Sequence, residues 1–83
     1  MDKKTWHVYL IECNDGSFYT GVTNDIDKRM KAHASKKGSK YVAQKGFKAL
    51  LKSMPCENRS DACKAEAHIK TLSKWDKLDY FKS

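Results

Sequence analysis

Apolar and aromatic positions fall along the chain in short, separated groups. Trp6 to Cys13 is rich in β-branched and aromatic residues and reads as a strand. Asn14-Asp15-Gly16 breaks it as a hairpin turn, and Phe18 to Thr23 is the returning strand. Ile26, Met30 and His33 then recur at helical spacing, with Asn24 or Asp25 as the cap, which predicts a helix over about 26–34. Ser35 to Gly46 is a lysine-rich connection containing Gly38 and Tyr41. Phe47 to Met54 reads as a third strand, ended by Pro55. Ser60 is placed to cap a second helix, with Asp61 in its first turn and an apolar stripe of Ala62, Ala65, Ile69 and Leu72. A short last helix, about 74–81, presents Trp75, Leu78 and Phe81. No repeat and no linker interrupts this order. The expectation is one α/β domain spanning 1–83, a three-stranded mainly antiparallel sheet flanked by helices in the order β-β-α-β-α-α.

The first turn also predicts which side chains meet. A two-residue loop, Asp15-Gly16, would pair Tyr9 with Val22 and put Tyr9 and Tyr19 on opposite faces. A three-residue loop, Asn14-Asp15-Gly16, pairs Tyr9 with Gly21 and Ile11 with Tyr19, so that both tyrosines share one face. The second register fits better. The common three-residue hairpin needs a left-handed residue at its end, and Gly16 stands there.

Composition narrows the class. A chain of 83 residues supports one compact core. Its longest apolar run is far shorter than a membrane span, and Met1-Asp2-Lys3-Lys4-Thr5 lacks the apolar stretch of a signal peptide, so the expectation is a cytoplasmic protein with no membrane partner. Cys13, Cys56 and Cys63 form no CxxC pair, which argues against a disulfide framework and against structural zinc. The net charge is +7, and its placement says more than its size. No acidic residue occurs from Lys28 to Cys56, a stretch holding Lys28, Arg29, Lys31, Lys36, Lys37, Lys40, Lys45, Lys48 and Lys52. Such a one-signed block is the electrostatic footprint of a polyanion partner, nucleic acid before a membrane surface, although a merely solvated basic face would look the same. Lys36, Lys37, Lys40 and Lys45 are the expected phosphate contacts.

Two features ask for a chemical role. Arg29 and His33 stand four apart, one above the other on their helix. Arg29 is also one of two arginines in a chain with fifteen lysines. Glu66 falls inside an apolar helical stripe, where a carboxylate needs a cation, a metal or a function.

The ordered set resembles the GIY-YIG nuclease family. The first signature tripeptide stands here as His7-Val8-Tyr9, the second as Tyr19-Thr20-Gly21 about ten residues on. Cys13, Asp15-Gly16-Ser17, Thr23, Asp25, Arg29 and His33 fall at the spacing of the small stand-alone bacterial members. Gly38-Ser39-Lys40-Tyr41, Arg59-Ser60-Asp61-Ala62, Glu66, Ile69-Lys70 and Leu72-Ser73 look like later family segments. The likeness covers nearly the whole chain. It implies a single GIY-YIG domain and metal-dependent hydrolysis of nucleic-acid phosphodiesters, with DNA as the expected substrate. By that likeness Tyr9 is the general base, Tyr19 bonds near the attacking water or phosphate, Arg29 grips phosphate, His33 orients Tyr9 or a phosphate, and Glu66 holds Mg²⁺ or Mn²⁺. A free tyrosine has a pKa near 10, so this reading expects nearby positive charge to lower it. Each residue also has a plain structural alternative, from a half-buried strand tyrosine to a glutamate paired with lysine. Two departures stand out: Val22-Thr23-Asn24 lacks a lysine common after the second tripeptide, and Val42-Ala43 replace a usual threonine and basic residue. The rival functions are a basic binding module without turnover and a subunit active only with a protein partner. Otherwise the chain is expected to act as a monomer.

Overall fold

The computed structural model describes residues 5–81, so the N-terminal residues Met1 to Lys4 lie outside it. Strand β1 (Trp6–Cys13) and strand β2 (Phe18–Thr23) form the hairpin. Their register pairs Tyr9 with Gly21 and Ile11 with Tyr19, as the three-residue turn requires. The local cause is visible. Gly16 has φ +86° and its N–H donates to the Cys13 carbonyl at 2.9 Å. Asp15 Oδ1 accepts from the Ser17 N–H at 3.0 Å and from the Ser17 hydroxyl at 2.6 Å, an Asx turn that fixes the bend. Strand β3 (Phe47–Cys56) pairs antiparallel on the other side of β1, giving the sheet order β2-β1-β3. The central strand is the most buried element: Val8, Tyr9, Leu10, Ile11 and Cys13 all belong to the core.

Pro55 does not end β3, which runs on to Cys56 with Pro55 opposite His7. β3 is an edge strand, and an edge tolerates a residue without an N–H.

Helix α1 (Ile26–Ala34) is capped by Asp25, whose side chain accepts from the Lys28 N–H at 3.1 Å. The lysine-rich connection is not all loop. It contains helix α2 (Lys40–Lys45), so the order is β-β-α-α-β-α-α, one helix more than the sequence pattern predicts. Only a tertiary contact makes this turn worth forming. Val42 is fully buried against Tyr9, Ile11 and Cys13, a burial worth about 1.5–3 kcal/mol. Ile26 and Met30 of α1 and Phe47 pack on the same cluster, so α1 and α2 cover the Tyr9 face of the sheet.

Helix α3 (Arg59–Lys70) takes the opposite face. Arg59 lies over the Trp6 ring at 5.6 Å, and Trp6 alternates to the Val8 and Leu10 side of β1. Ala62 and Ile69 are its buried residues. Its cap is Asn58, which accepts from the Asp61 N–H at 2.8 Å, rather than Ser60. Asn58 has the extended backbone a cap needs, whereas Ser60 is already helical. Helix α4 (Lys74–Tyr80) follows, with Trp75 pointing to solvent at 69% exposure. Among the described residues no helix is long and apolar enough to cross a membrane, and the three cysteines are free.

Candidate active site

The site is built outward from the middle of β1. Tyr9 lies almost wholly buried, leaning across β2 at Gly21. A Cβ at Gly21 would collide with the Tyr9 hydroxyl and lie 3.1 Å from its Cε2, so the missing side chain is what gives the phenol its place. The hydroxyl makes a 2.9 Å hydrogen bond with Nε2 of His33, which comes from the last turn of α1 and is 1% exposed. Aromatic neighbours fix the imidazole. Tyr9 and Tyr19 meet it edge-on at centroid distances of 5.8 and 5.7 Å, and Phe47 stacks on it at 6.2 Å. Gly38 closes the remaining side, where a Cβ would sit 2.5 Å from Nδ1. That nitrogen has no hydrogen-bond partner among the described residues.

Burial pushes the Tyr9 hydroxyl well above the ordinary tyrosine range. Tyr19 and, least of all, Glu66 add to that rise, and Arg29 opposes it. Burial also pushes the His33 imidazole below its ordinary 6.5, and the Arg29 charge lowers it further. The resting pair at neutral pH is therefore a phenol and a neutral imidazole. The protein's own side chains therefore do not lower the Tyr9 pKa as expected: Arg29 acts in that direction, but desolvation outweighs it.

Arg29 sits one helical turn before His33 and is braced by its Nη1, which donates to the Gly38 carbonyl at 3.4 Å. Tyr19 stacks on Tyr41 of α2 at 5.8 Å, and Lys45 stands 6.0 Å from the Tyr41 ring centre. Lys36 and Lys37 lie exposed in the turn after α1, and Lys40 and Lys45 at the two ends of α2. Lys45 is also paired with Asp15 at 3.4 Å.

The structure thus gathers Tyr9, Tyr19, Arg29 and His33 on one face. Glu66 differs, because its helix packs on the other face of the sheet. Its carboxylate pairs with Lys70 at 3.4 Å, one turn on, and its side chain keeps 24% of its exposure. The cation that an out-of-place glutamate requires is at hand. Glu66 is still close enough for its charge to act on Tyr9. Among the described residues, no three of the His, Cys, Asp or Glu side chains gather into a metal-holding group. Sequence reasoning missed Gly38 and Phe47, which fix the imidazole, and Tyr41, which extends the aromatic stack. Gly38 and Tyr41 stood in a family-like segment and Phe47 at the start of a strand, but nothing local gave any of them a role at the site.

Comparison with known proteins places this geometry. Residues 5–79 match the GIY-YIG catalytic domain. The UPF0213 protein XAC3202 of Xanthomonas axonopodis pv. citri is 36% identical over 80 residues, 96% of this chain and 78% of that protein. The solution NMR structure of the protein EF2693 from E. faecalis superposes with a TM-score of 0.66 at 37% identity, covering 98% of this chain and 86% of that one. That of the UPF0213 protein BH0048 from Bacillus halodurans gives 0.54 at 40% identity, covering 92% and 81%. With a domain match across nearly its whole length and relatives of this closeness, the chain belongs to the GIY-YIG family, beside the small bacterial UPF0213 proteins.

Proposed function

We propose that the protein is a phosphodiester hydrolase of nucleic acid, DNA first, that works with Mg²⁺ or Mn²⁺. The observation that carries this reading is the buried hydrogen bond between the Tyr9 hydroxyl and neutral His33, with Arg29 beside it. A phenol with a raised pKa is a poor base when it must first ionise. It becomes a competent one when it passes its own proton on. As an attacking water loses a proton to the Tyr9 oxygen, the Tyr9 proton moves to His33 Nε2. No free phenolate is needed. The imidazole accepts it in the tautomer carrying its proton on Nδ1, the nitrogen packed against Gly38. Arg29, a fork with a fixed charge, offsets the negative charge that builds on the phosphate oxygens. Tyr19 walls the site and holds the imidazole edge-on.

The donor chemistry fits a hydrated hard cation. Glu66 offers one partly exposed carboxylate, and Mg²⁺ keeps several waters and takes few protein ligands. An ion that demands a closed protein shell does not fit this set. When bound, the metal supplies charge stabilisation to the phosphate and the leaving oxygen. Glu66 is the residue that would hold it, and Lys70 would then have to give up the carboxylate it now pairs with.

A binding module without turnover is the second reading, favoured by the Glu66–Lys70 pair and by the raised pKa of Tyr9. A cleavage screen over duplex, flap, junction and single-stranded substrates, with Mg²⁺ and with Mn²⁺, separates the two. Cleavage that disappears in Glu66→Gln while binding persists supports the hydrolase. Full cleavage by that variant returns Glu66 to a purely structural ion pair. Binding without cleavage of any substrate supports the module.

A further inference from the structure

Arg29 has a second environment. Beside it opens a cavity of about 320 Å³, lined among others by Asp25, Lys28, Arg29, Ala32, Lys37 and Gly38. Its far wall is made by the way α1 ends. The Lys36 N–H donates to the His33 carbonyl at 3.1 Å and the Lys37 N–H to the Ala32 carbonyl at 2.8 Å, with Lys36 at φ +66°. This is a Schellman closure, and it folds Lys37 and Gly38 back along the helix toward Arg29. The lining holds three cations against one carboxylate. That carboxylate, Asp25, already serves as the cap of α1, accepting from the Lys28 N–H. Three cations against that one carboxylate still leave the lining two charges positive, with Lys28, Arg29 and Lys37 on two sides of one concavity.

The cavity is not the place where Tyr9 acts. Neither Tyr9 nor His33 lines it, and Arg29 stands between the two, acting electrostatically on both Tyr9 and His33 while forming a wall of the cavity. Resting on the hydrolase reading above, we propose that this pocket is a second phosphate subsite: it holds a phosphodiester neighbouring the one that is cut, so that Arg29 lies between two phosphates of one strand. Lys28 and Lys37 then supply, from α1 and its closing turn, positive charge that the Val22-Thr23-Asn24 segment lacks. The ligand is a backbone phosphate, because the lining carries more positive than negative side chains, with Thr23 and Asn24 as further polar groups, and offers no aromatic platform on which a base could stack.

The test pairs a double variant, Lys28→Gln with Lys37→Gln, with a substrate scan. In each oligonucleotide one phosphate near the cut is replaced by a neutral methylphosphonate. In the parent chain, one such position raises KM by about 10- to 100-fold, the scale of one charge-assisted contact, with kcat held. The double variant carries a similar KM defect on the unmodified strand and loses nothing more at that position. Both lysines are exposed, and an unchanged thermal transition shows that the variant is folded. Equal losses in parent and variant at every position overturn the subsite. So does a variant defect in kcat alone, or dependence only on a terminal phosphate, seen by comparing phosphorylated and unphosphorylated ends. If the parent chain cuts nothing, the hydrolase reading fails separately. The same scan, read by fluorescence anisotropy, then decides the pocket by whether one position couples to the two lysines.

Discussion

Burial acts on Tyr9 and His33 in opposite directions, holding a proton on the phenol and keeping one off the imidazole. The consequence is testable by pH. Below the ordinary histidine value of 6.5, the unfolded chain gains a proton at His33 that the folded chain refuses until the pH is lower still. The unfolded state then binds more protons, so stability is full above pH 6.5 and declines as the pH falls from there through the folded pKa. Urea unfolding at a series of pH values should show this decline in the parent chain and a weaker one in His33→Gln. The cleavage rate should share the acid limb, with its midpoint below 6.5, because a protonated imidazole cannot receive the Tyr9 proton. A midpoint above 6.5 contradicts the relay. The two close-packed glycines give a steric test. Gly21→Ala drives a methyl into the Tyr9 hydroxyl, and Gly38→Ala drives one into His33 Nδ1. Each should cost about 1–3 kcal/mol by overpacking and should lower cleavage by far more than the loss of folded protein explains. Thermal melts read beside single-turnover rates check both.

Among the elements, the hairpin was the most legible, because its register is set locally: Gly16 in the left-handed region and the Asp15–Ser17 contacts act within one turn. The same holds for α1, whose cap and periodicity are contiguous in sequence. Helix α2 was not legible, since its one buried residue, Val42, has its partners on β1, and nothing local announces a six-residue helix among lysines. The extension of β3 through Pro55 depended on β3 being an edge, which is a property of the sheet and not of the strand. The turn joining α1 to α2 carries a local penalty. Lys36 holds φ +66°, a conformation costing a non-glycine residue about 1–2 kcal/mol. Lys36→Gly should therefore stabilise the protein by about 1 kcal/mol, raising the melting temperature by about 4–8 °C for a domain of this size. A drop in melting temperature would show that the lysine side chain does more for the turn than its backbone strain takes away.

Across the whole molecule, charge and topology divide the work. The basic run covers α1, α2 and β3, and two of its lysines are tied to hairpin carboxylates, Lys45 to Asp15 at 3.4 Å and Lys48 to Glu12 at 3.6 Å. Lys36, Lys37 and Lys40 remain exposed beside the Tyr9 face. Replacing Lys36, Lys37, Lys40 and Lys45 together with Ser should weaken nucleic-acid binding alike for every sequence tested. It should also flatten the salt dependence by about 0.9 log unit per lost contact on duplex, with the smallest share from Lys45. Titrations of each variant across salt concentrations check this. Turn register placed Tyr9 with Tyr19, and helix spacing placed Arg29 above His33, but which face of the sheet each helix covers is decided at a distance in sequence. Glu66 was expected beside those four, whereas its helix lies on the Trp6 side of the sheet.

The Tyr9–His33 pair is proposed to move the proton that permits phosphodiester cleavage. This is tested most directly by single-turnover cleavage at saturating protein, comparing the parent chain with Tyr9→Phe in the presence of Mg²⁺. Phenylalanine keeps the ring and removes the hydroxyl that bonds His33 at 2.9 Å. A loss of about 10²–10⁴-fold in the cleavage step is expected, the range of a general base, with binding unchanged. Cleavage by Tyr9→Phe at the parent rate would contradict it.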